Sequence, residues 1–334
     1  MKRRNFIRSS ALATIGMTSM SNLPDFPNGV NRKFAKIRFG ICADLHQDIM
    51  HDAPQRLEAF IDDVQHQKPD FIIQLGDFCR PYEHNQPILN IFNRFAGPRY
   101  HVIGNHDMDG GFTREQVVAY WKAKGKYYSF DIKGYHFVVL DGNEENPSPG
   151  RPSGYARWIG PSQLKWLQED LDKTNLPTIV FCHQGLDNDY GGLENGTQSR
   201  LVLERANERA GFRKVQLVFS GHHHQDYRNY INGIHYIQIN SMSYQWLGSK
   251  YAHIRYSEAI DKSHPWIKST APYKDPLWAM VELLPDGQLS LKGRKTVYVG
   301  PSPEELGMPE YEYGYLNRPL ISDRKLLLTM KSFR

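Results

Sequence analysis

The stretch Lys36-Ile37-Arg38-Phe39-Gly40-Ile41-Cys42-Ala43-Asp44-Leu45-His46 sets the fold. Lys36–Ala43 reads as a strand, and an acid and a histidine follow where the strand gives way to a loop. The same arrangement recurs downstream. Pro54–Gln67 is predicted helical, because Leu57, Phe60, Ile61 and Val64 recur at helical spacing and Pro54 suits the first turn. Phe71–Leu75 reads as a second strand and runs into Gly76-Asp77. A helix is predicted over Gln86–Phe95. A strand over Tyr100–Ile103 then ends in Gly104-Asn105-His106-Asp107. Thr113–Lys122 reads as a helix with Thr113 as N-cap and Gln116 three residues on.

Further on, Tyr127–Ile132 and Tyr135–Leu140 are strands joined by the hairpin turn Lys133-Gly134. Pro161–Lys173 is a helix with Leu164, Leu167 and Leu171 on one face. Thr178–Cys182 (strand), Gln198–Arg209 (helix) and Val215–Phe219 (strand) follow. Asn232-Gly233 marks a hairpin, and Pro285-Asp286-Gly287 another between Trp278–Leu284 and Gln288–Lys292. Asn143–Gly160 is rich in Pro and Gly, and Ser241–Pro276 has no clear period. Loops of that length are usually functional lids or flexible connections. The pattern predicts an α/β protein, a four-layer α-β-β-α sandwich of two mixed sheets with flanking helices. Its main domain spans residues 35–300. Residues 1–34 form an export signal and linker, and 301–334 a tail that Leu326–Leu328 anchor.

Five clusters fall at the ends of predicted strands: Asp44/His46, Gly76-Asp77, Gly104–Asp107, His183 and Gly221-His222-His223-His224. In an extended segment residues two apart point the same way, so Asp44 pairs with His46 and His222 with His224, while His223 turns elsewhere. Each glycine before a ligand lets the backbone turn and lets a metal or phosphate approach. Oxygen and nitrogen donors without thiolate suit Mn, Fe or Zn. Seven such residues exceed the four that one structural zinc needs, and one carboxylate bridging two ions accommodates them.

These motifs resemble the calcineurin-like metallophosphoesterases, whose pattern is DxH, GD, GNH with D or E, a lone H, and GHxH. The resemblance spans residues 44–224. It implies that Asp44, His46 and His224 bind one metal, that Asn105, His183 and His222 bind the other, and that Asp77 bridges them. It implies that His106 faces the phosphate and assists the leaving group, with Asp107 orienting its ring. The cofactors implied are two divalent or trivalent transition-metal ions (Mn, Fe or Zn). The reaction implied is hydrolysis of a small-molecule phosphomonoester or phosphodiester by in-line attack of a metal-bridging hydroxide. A nucleotide-type diphosphate, a nuclease substrate and a non-catalytic scaffold are the alternatives. Candidate substrate contacts are Arg80, Tyr82, Asn143, Tyr155, Arg157, Tyr244 and Trp246, with Trp158 beside them: arginine for a second phosphate, aromatics for a base or sugar.

Composition narrows the partners. The formal net charge of +5 falls to +1 once Lys2, Arg3, Arg4 and Arg8 are set aside, so a near-neutral body gives no reason to expect nucleic acid. No run reaches the roughly 20 apolar residues of a transmembrane helix. Lys2-Arg3-Arg4-Asn5-Phe6-Ile7-Arg8 resembles a twin-arginine signal, which implies transient contact with that export machinery and a periplasmic location. The three cysteines, Cys42, Cys79 and Cys182, are too few for a disulfide framework. They read as thiolate ligands or as small packing residues near strand ends.

Overall fold

The structure, a computed structural model, describes residues 35–309, 311–312 and 315–329. The export signal expected in residues 1–34 lies outside the described residues. In chain order the strands of the first half are β1 (Ile37–Cys42), β2 (Phe71–Gln74), β3 (Arg99–His101), β4 (Tyr128–Ile132), β5 (Tyr135–Val139), β6 (Thr178–Cys182) and β7 (Val215–Ser220). Then come β8 (Arg228–Ile231), β9 (Ile234–Gln238), β10 (Tyr244–Trp246), β11 (Thr270–Pro272), β12 (Ala279–Leu283) and β13 (Gln288–Lys292). A short ribbon of β14 (Tyr311–Glu312) and β15 (Tyr315–Leu316) precedes β16 (Arg324–Leu327). The helices are α1 (Ala53–Gln67), α2 (Gln86–Phe92), α3 (Arg114–Trp121), α4 (Pro161–Lys173), α5 (Gly196–Ala210) and α6 (Glu258–Ser263).

Two six-stranded sheets carry the fold, in orders β16-β13-β12-β1-β2-β3 and β4-β5-β6-β7-β9-β8. Both are mixed: β1, β2 and β3 are parallel in the first, β5, β6, β7 and β9 in the second, and antiparallel strands complete each. Alternation along the strands builds the layers. Ile37, Phe39 and Ile41 of β1 and Phe71 and Ile73 of β2 face Phe137, Ile179, Phe181, Leu217 and Phe219 of the second sheet. Phe39 stacks on Phe71 at 4.8 Å and meets Phe137, Phe181 and Phe219 edge-on at 5.9–6.2 Å. Each such fully buried Phe contributes roughly 1.5–3 kcal/mol. On the outer faces, Leu57, Phe60, Ile61 and Val64 of α1 cover the first sheet, and Leu164, Leu167 and Leu171 of α4 cover the second.

Parallel strands with helices outside gather the carboxyl ends of β1, β2, β6 and β7, with the loop after β3, at one edge, which is where such sheets place a site. The expected turns form at Lys133-Gly134, Asn232-Gly233 and Asp286-Gly287. Thr113 caps α3 reciprocally: its Oγ1 accepts from Gln116 N at 3.2 Å, and Gln116 Oε1 accepts from Thr113 N at 2.8 Å. The helix predicted over Gln86–Phe95 stops at Phe92, because Arg94 N closes a tighter turn onto Ile91 O and turns Phe95 into the core. The segment Ser241–Pro276, without sequence period, holds the β10–β11 ribbon and α6.

The C-terminal segment becomes an edge strand. β16 pairs with β13, Leu326 opposite Leu289, and Leu328 enters the inter-sheet core. Thr329 N then donates to Gln216 Oε1 on β7, which ties the tail to the second sheet as well. On its way the tail passes just behind the triple histidine: Asn317 Oδ1 accepts from Gln225 Nε2, and Arg324 Nη2 donates to Asp226 Oδ1. Among the described residues no helix is long and apolar enough to cross a membrane.

Candidate metal centre

The loops after β1 and β2 run side by side past the sheet edge, with Asp44 N on Gly76 O (3.0 Å) and His46 N on Asp77 O (2.9 Å). Their side chains do not converge by strand alternation, as the sequence suggested. Asp44, His46, Asp77, His222 and His224 all have φ between +50° and +79°, the left-handed region. Left-handed residues alternate with Leu45, which is buried in the outer core, and so throw Asp44 and His46 toward the same space. Two of the glycines are needed for room rather than for turning. A Cβ on Gly104 would lie 2.2 Å from Asp77 Oδ1, and one on Gly221 2.7 Å from Asp44 Oδ2.

Three groups of metal-type atoms result among the described residues: Asp44, His46 and His224; Asp77, His183 and His222; and His46, Asp48 and His106, which shares His46 with the first. In the first, His46 Nε2 faces His224 Nε2 at 3.1 Å, and Asp44 Oδ1 lies 3.4 Å from the latter. In the second, His183 Nδ1 is spent on Leu75 O (2.7 Å). Its Nε2 therefore turns to Asp77 Oδ2, Asn105 Oδ1 and His222 Nδ1, each at 3.2 Å. Asp77 Oδ2 is also 3.6 Å from His46 Nε2, so this one oxygen stands between the clusters. Asp77 Oδ1 accepts from His106 N at 2.8 Å.

This donor set fits metal ions. Neutral imidazole nitrogens, an amide oxygen and carboxylates aim lone pairs at one another, an arrangement that is repulsive without positive charge among them. Burial alone would lift the Asp77 carboxyl, yet His183, His106 and His46 hold it well below the ordinary range. Burial alone would lower His183, but Asp77 lifts it to about 9. His222 and His224 are pushed down, chiefly by burial.

His106 departs from expectation in its partner. Asp107, fully buried, does not touch its ring. Asp107 accepts instead from three backbone amides: Asp77 N (3.0 Å), Gly104 N (2.8 Å) and Phe78 N (2.7 Å). Asp109 Oδ2 lies 2.8 Å from His106 Nδ1. The cause is a 3₁₀ turn over His106–Met108, in which residues three apart eclipse and adjacent ones diverge. Asp48, also missed, sits 3.4 Å from His46 Nδ1 and 3.9 Å from His106 Nδ1. It continues the every-other-residue series of Asp44 and His46, which was the available signal.

The cleft above the clusters, about 210 Å³, is lined by Asp77, Asn105, His106, His46 and the run His222–His224, with Tyr155, Gly191, Tyr244, Gln245 and Trp246 around them. Tyr244 is buried against His46 (5.0 Å) and His224 (4.8 Å), whereas Tyr155 and Trp246 are 43 % and 41 % exposed. The other expected substrate contacts do not line this cleft. Arg80 packs over the Tyr82 ring, and Tyr82 against Phe112. Asn143 holds Ile103 O and Asp141, and Arg157 Nη1 donates to Gly192 O. His223 turns to Tyr190 O at 2.7 Å. The three cysteines are free and buried, and burial pushes their thiols up, so they are packing residues. A larger groove of about 380 Å³ around Trp278 and Arg294, on the outer face of the first sheet, brings no histidines together.

The family profile of the calcineurin-like phosphoesterases matches residues 37–226, more than half of the chain. The chain belongs to this family. This calcineurin-like phosphoesterase is a metal-dependent hydrolase of phosphate esters, in a family that works with two metal ions. It is 26 % identical to a manganese-dependent ADP-ribose/CDP-alcohol diphosphatase of Arabidopsis thaliana, over 48 % of this chain and 67 % of that protein. It is 23 % identical to a 3',5'-cyclic-nucleotide phosphodiesterase of Nostoc sp. strain PCC 7120, over 63 % of this chain and 74 % of that one. A dimetal phosphatase from Danio rerio shares the fold at a TM-score of 0.57 and 16 % identity, covering 80 % of this chain and 99 % of that one.

Proposed function

We propose that the protein is a phosphodiesterase acting on small diesters that carry a planar ring, with Asp44, His46 and His224 holding one ion and Asn105, His183 and His222 the other. Asp77 joins the two. The observation that carries this is the placement of Asp77 Oδ2, 3.2 Å from His183 Nε2 and 3.6 Å from His46 Nε2. Mn, Fe and Zn all suit the donors. Bound metals would polarise the phosphoryl group and supply the nucleophile at neutral pH. Of the residues outside the ligand set, His106 faces the leaving oxygen.

Diester chemistry is favoured over monoester chemistry by charge. Among the described residues no Lys or Arg lines the cleft. The second charge of a monoester would find no guanidinium or ammonium there, whereas a diester brings one charge less. Tyr155 and Trp246 offer exposed faces on which a base or aryl ring stacks. A nucleotide-type diphosphate is the second reading, supported by the named activity of the Arabidopsis relative. Protein reconstituted with Mn, Fe or Zn should turn over a cyclic nucleotide and an aryl diester faster than an aryl monoester. Faster turnover of ADP-ribose would shift the reading to the diphosphate. Turnover of the monoester alone would overturn the substrate class, and silence on every ester with both metals bound would overturn the reaction.

We further propose export through the twin-arginine route to the periplasm, supported by Arg3 and Arg4 within the Lys2–Arg8 leader. Replacing both arginines by lysine should retain the protein in the cytoplasm on cell fractionation. Unchanged distribution would refute the route.

A further inference from the structure

We infer that Asp109 and Tyr155 act as a pair of positioning residues that hold the His106 ring with Nε2 toward the leaving oxygen. Departure of the leaving group thereby depends on the loop of residues 143–160 that carries Tyr155. This rests on the phosphodiesterase reading and adds to it which residues set the ring.

The ring is fixed on one edge and one face. Asp109 Oδ2 meets Nδ1 at 2.8 Å, and the Tyr155 ring lies against the imidazole at a centroid distance of 4.9 Å. The Tyr155 hydroxyl donates to both Asp109 oxygens (3.0 and 3.1 Å) and lies 3.4 Å from Nδ1. Asp109 thus joins a residue of the ligand turn to a residue of the Pro/Gly loop. The backbone beneath is anchored as well, by His106 N on Asp77 Oδ1. Asp109's own amide donates to His106 O at 3.1 Å. Gly110 and Gly111 follow with φ of +90° and +87°, and a Cβ on Gly110 would lie 2.3 Å from the Tyr82 hydroxyl. The chain therefore leaves Asp109 by a turn that only glycine fits, with Tyr82 packed against it.

The step it serves balances simply. A water oxygen bonds to phosphorus, and the bond from phosphorus to the leaving oxygen breaks with its electron pair on that oxygen. The proton on His106 Nε2 passes to that oxygen, and the proton on Nδ1 stays on the Asp109 side. The proton shed by the attacking water returns to His106 through solvent. A leaving group that is already a stable anion needs little of this help, while an alkoxide needs all of it.

Leaving-group dependence is therefore the test. The metal-loaded wild type, Asp109→Ala, Asp109→Glu and Tyr155→Phe are compared on a bis-nitrophenyl diester and on a diester with an alkyl leaving group. Bound metal is measured on each protein. Asp109→Ala should lose roughly 10²–10³-fold in kcat on the alkyl ester and less than about tenfold on the nitrophenyl ester, with KM and metal content unchanged. Asp109→Glu should recover part of the alkyl loss, and Tyr155→Phe should show the same inequality at smaller size. Equal losses on both esters, or loss of metal, would overturn the assignment. If Asp109→Ala does not fold, Tyr155→Phe decides alone: an unequal loss supports the pair, and an equal or absent loss overturns it. A wild type inert on both esters with metals bound would instead overturn the phosphodiesterase reading, and this inference with it.

Discussion

Replacing Asp107 by alanine distinguishes a residue that serves the ring of His106 from one that holds the site's backbone together. Its carboxylate is fully buried and accepts from the amides of Asp77, Phe78 and Gly104. Burial and the charge of Asp77 hold this carboxyl well above the ordinary range, and the amides of Gly104 and Phe78 offset only part of that. Without it three buried N–H groups lose their acceptor, at about 1–3 kcal/mol each and about 3–9 kcal/mol together. That is comparable to the whole net stability of a domain, about 5–15 kcal/mol. The metal-free protein should therefore melt on the order of 10 °C lower. Metal affinity should fall with it, because the loops bearing Asp77 and Asn105 share this anchor. Thermal unfolding of the metal-free variant, with metal content after dialysis, measures both. A variant that melts with the wild type and keeps both metals, losing only kcat, would refute the reasoning and return Asp107 to the ring.

Asp77→Asn should release both metals together and abolish turnover; near-normal activity with full metal content would remove the bridging role. His106→Asn should keep the metals and slow turnover roughly 10²–10⁴-fold, and metal loss there would show that His106 is a ligand. Far from the site, buried His136 contacts Asp131 (2.6 Å) through Nδ1 and Asp170 (2.8 Å) through Nε2, which only the doubly protonated ring can satisfy. Burial opposes that charge, but the two carboxylates win and raise the group above its ordinary value. Its stabilisation is thus complete below about pH 6.5 and lost as pH rises through the raised folded value. His136→Gln should flatten the denaturation midpoint over that range, and an unchanged pH slope would refute it.

The elements were legible in the sequence wherever periodicity was strong, as in α1 and α4, and wherever an apolar run met a polar cluster, as at β1 and β6. The ligand types were legible because carboxylates, histidines and an asparagine gather at strand ends. The geometry that brings them together was not. Asp and His tolerate left-handed backbone better than most residues, but that tolerance does not say which of them adopt it, and its adoption at Asp44, His46, Asp77, His222 and His224 together is a tertiary outcome. Asp107 was the expected partner of His106, and the 3₁₀ turn gives that place to Asp109 instead. Arg80, Tyr82, Asn143 and Arg157 looked like substrate contacts, because a loop's packing residues and its contact residues share one composition.

The last strand has a consequence for the order of events on the ribosome. The ligand-bearing motifs are complete at His224, yet Gln225 and Asp226 behind them are braced by Asn317 and Arg324, and Gln216 receives Thr329. A nascent chain that has just exposed every ligand still lacks the strand that closes the first sheet's edge and the stitch between sheets. Tight metal capture should therefore trail synthesis of the ligands by about a hundred residues, or several seconds at ordinary elongation rates.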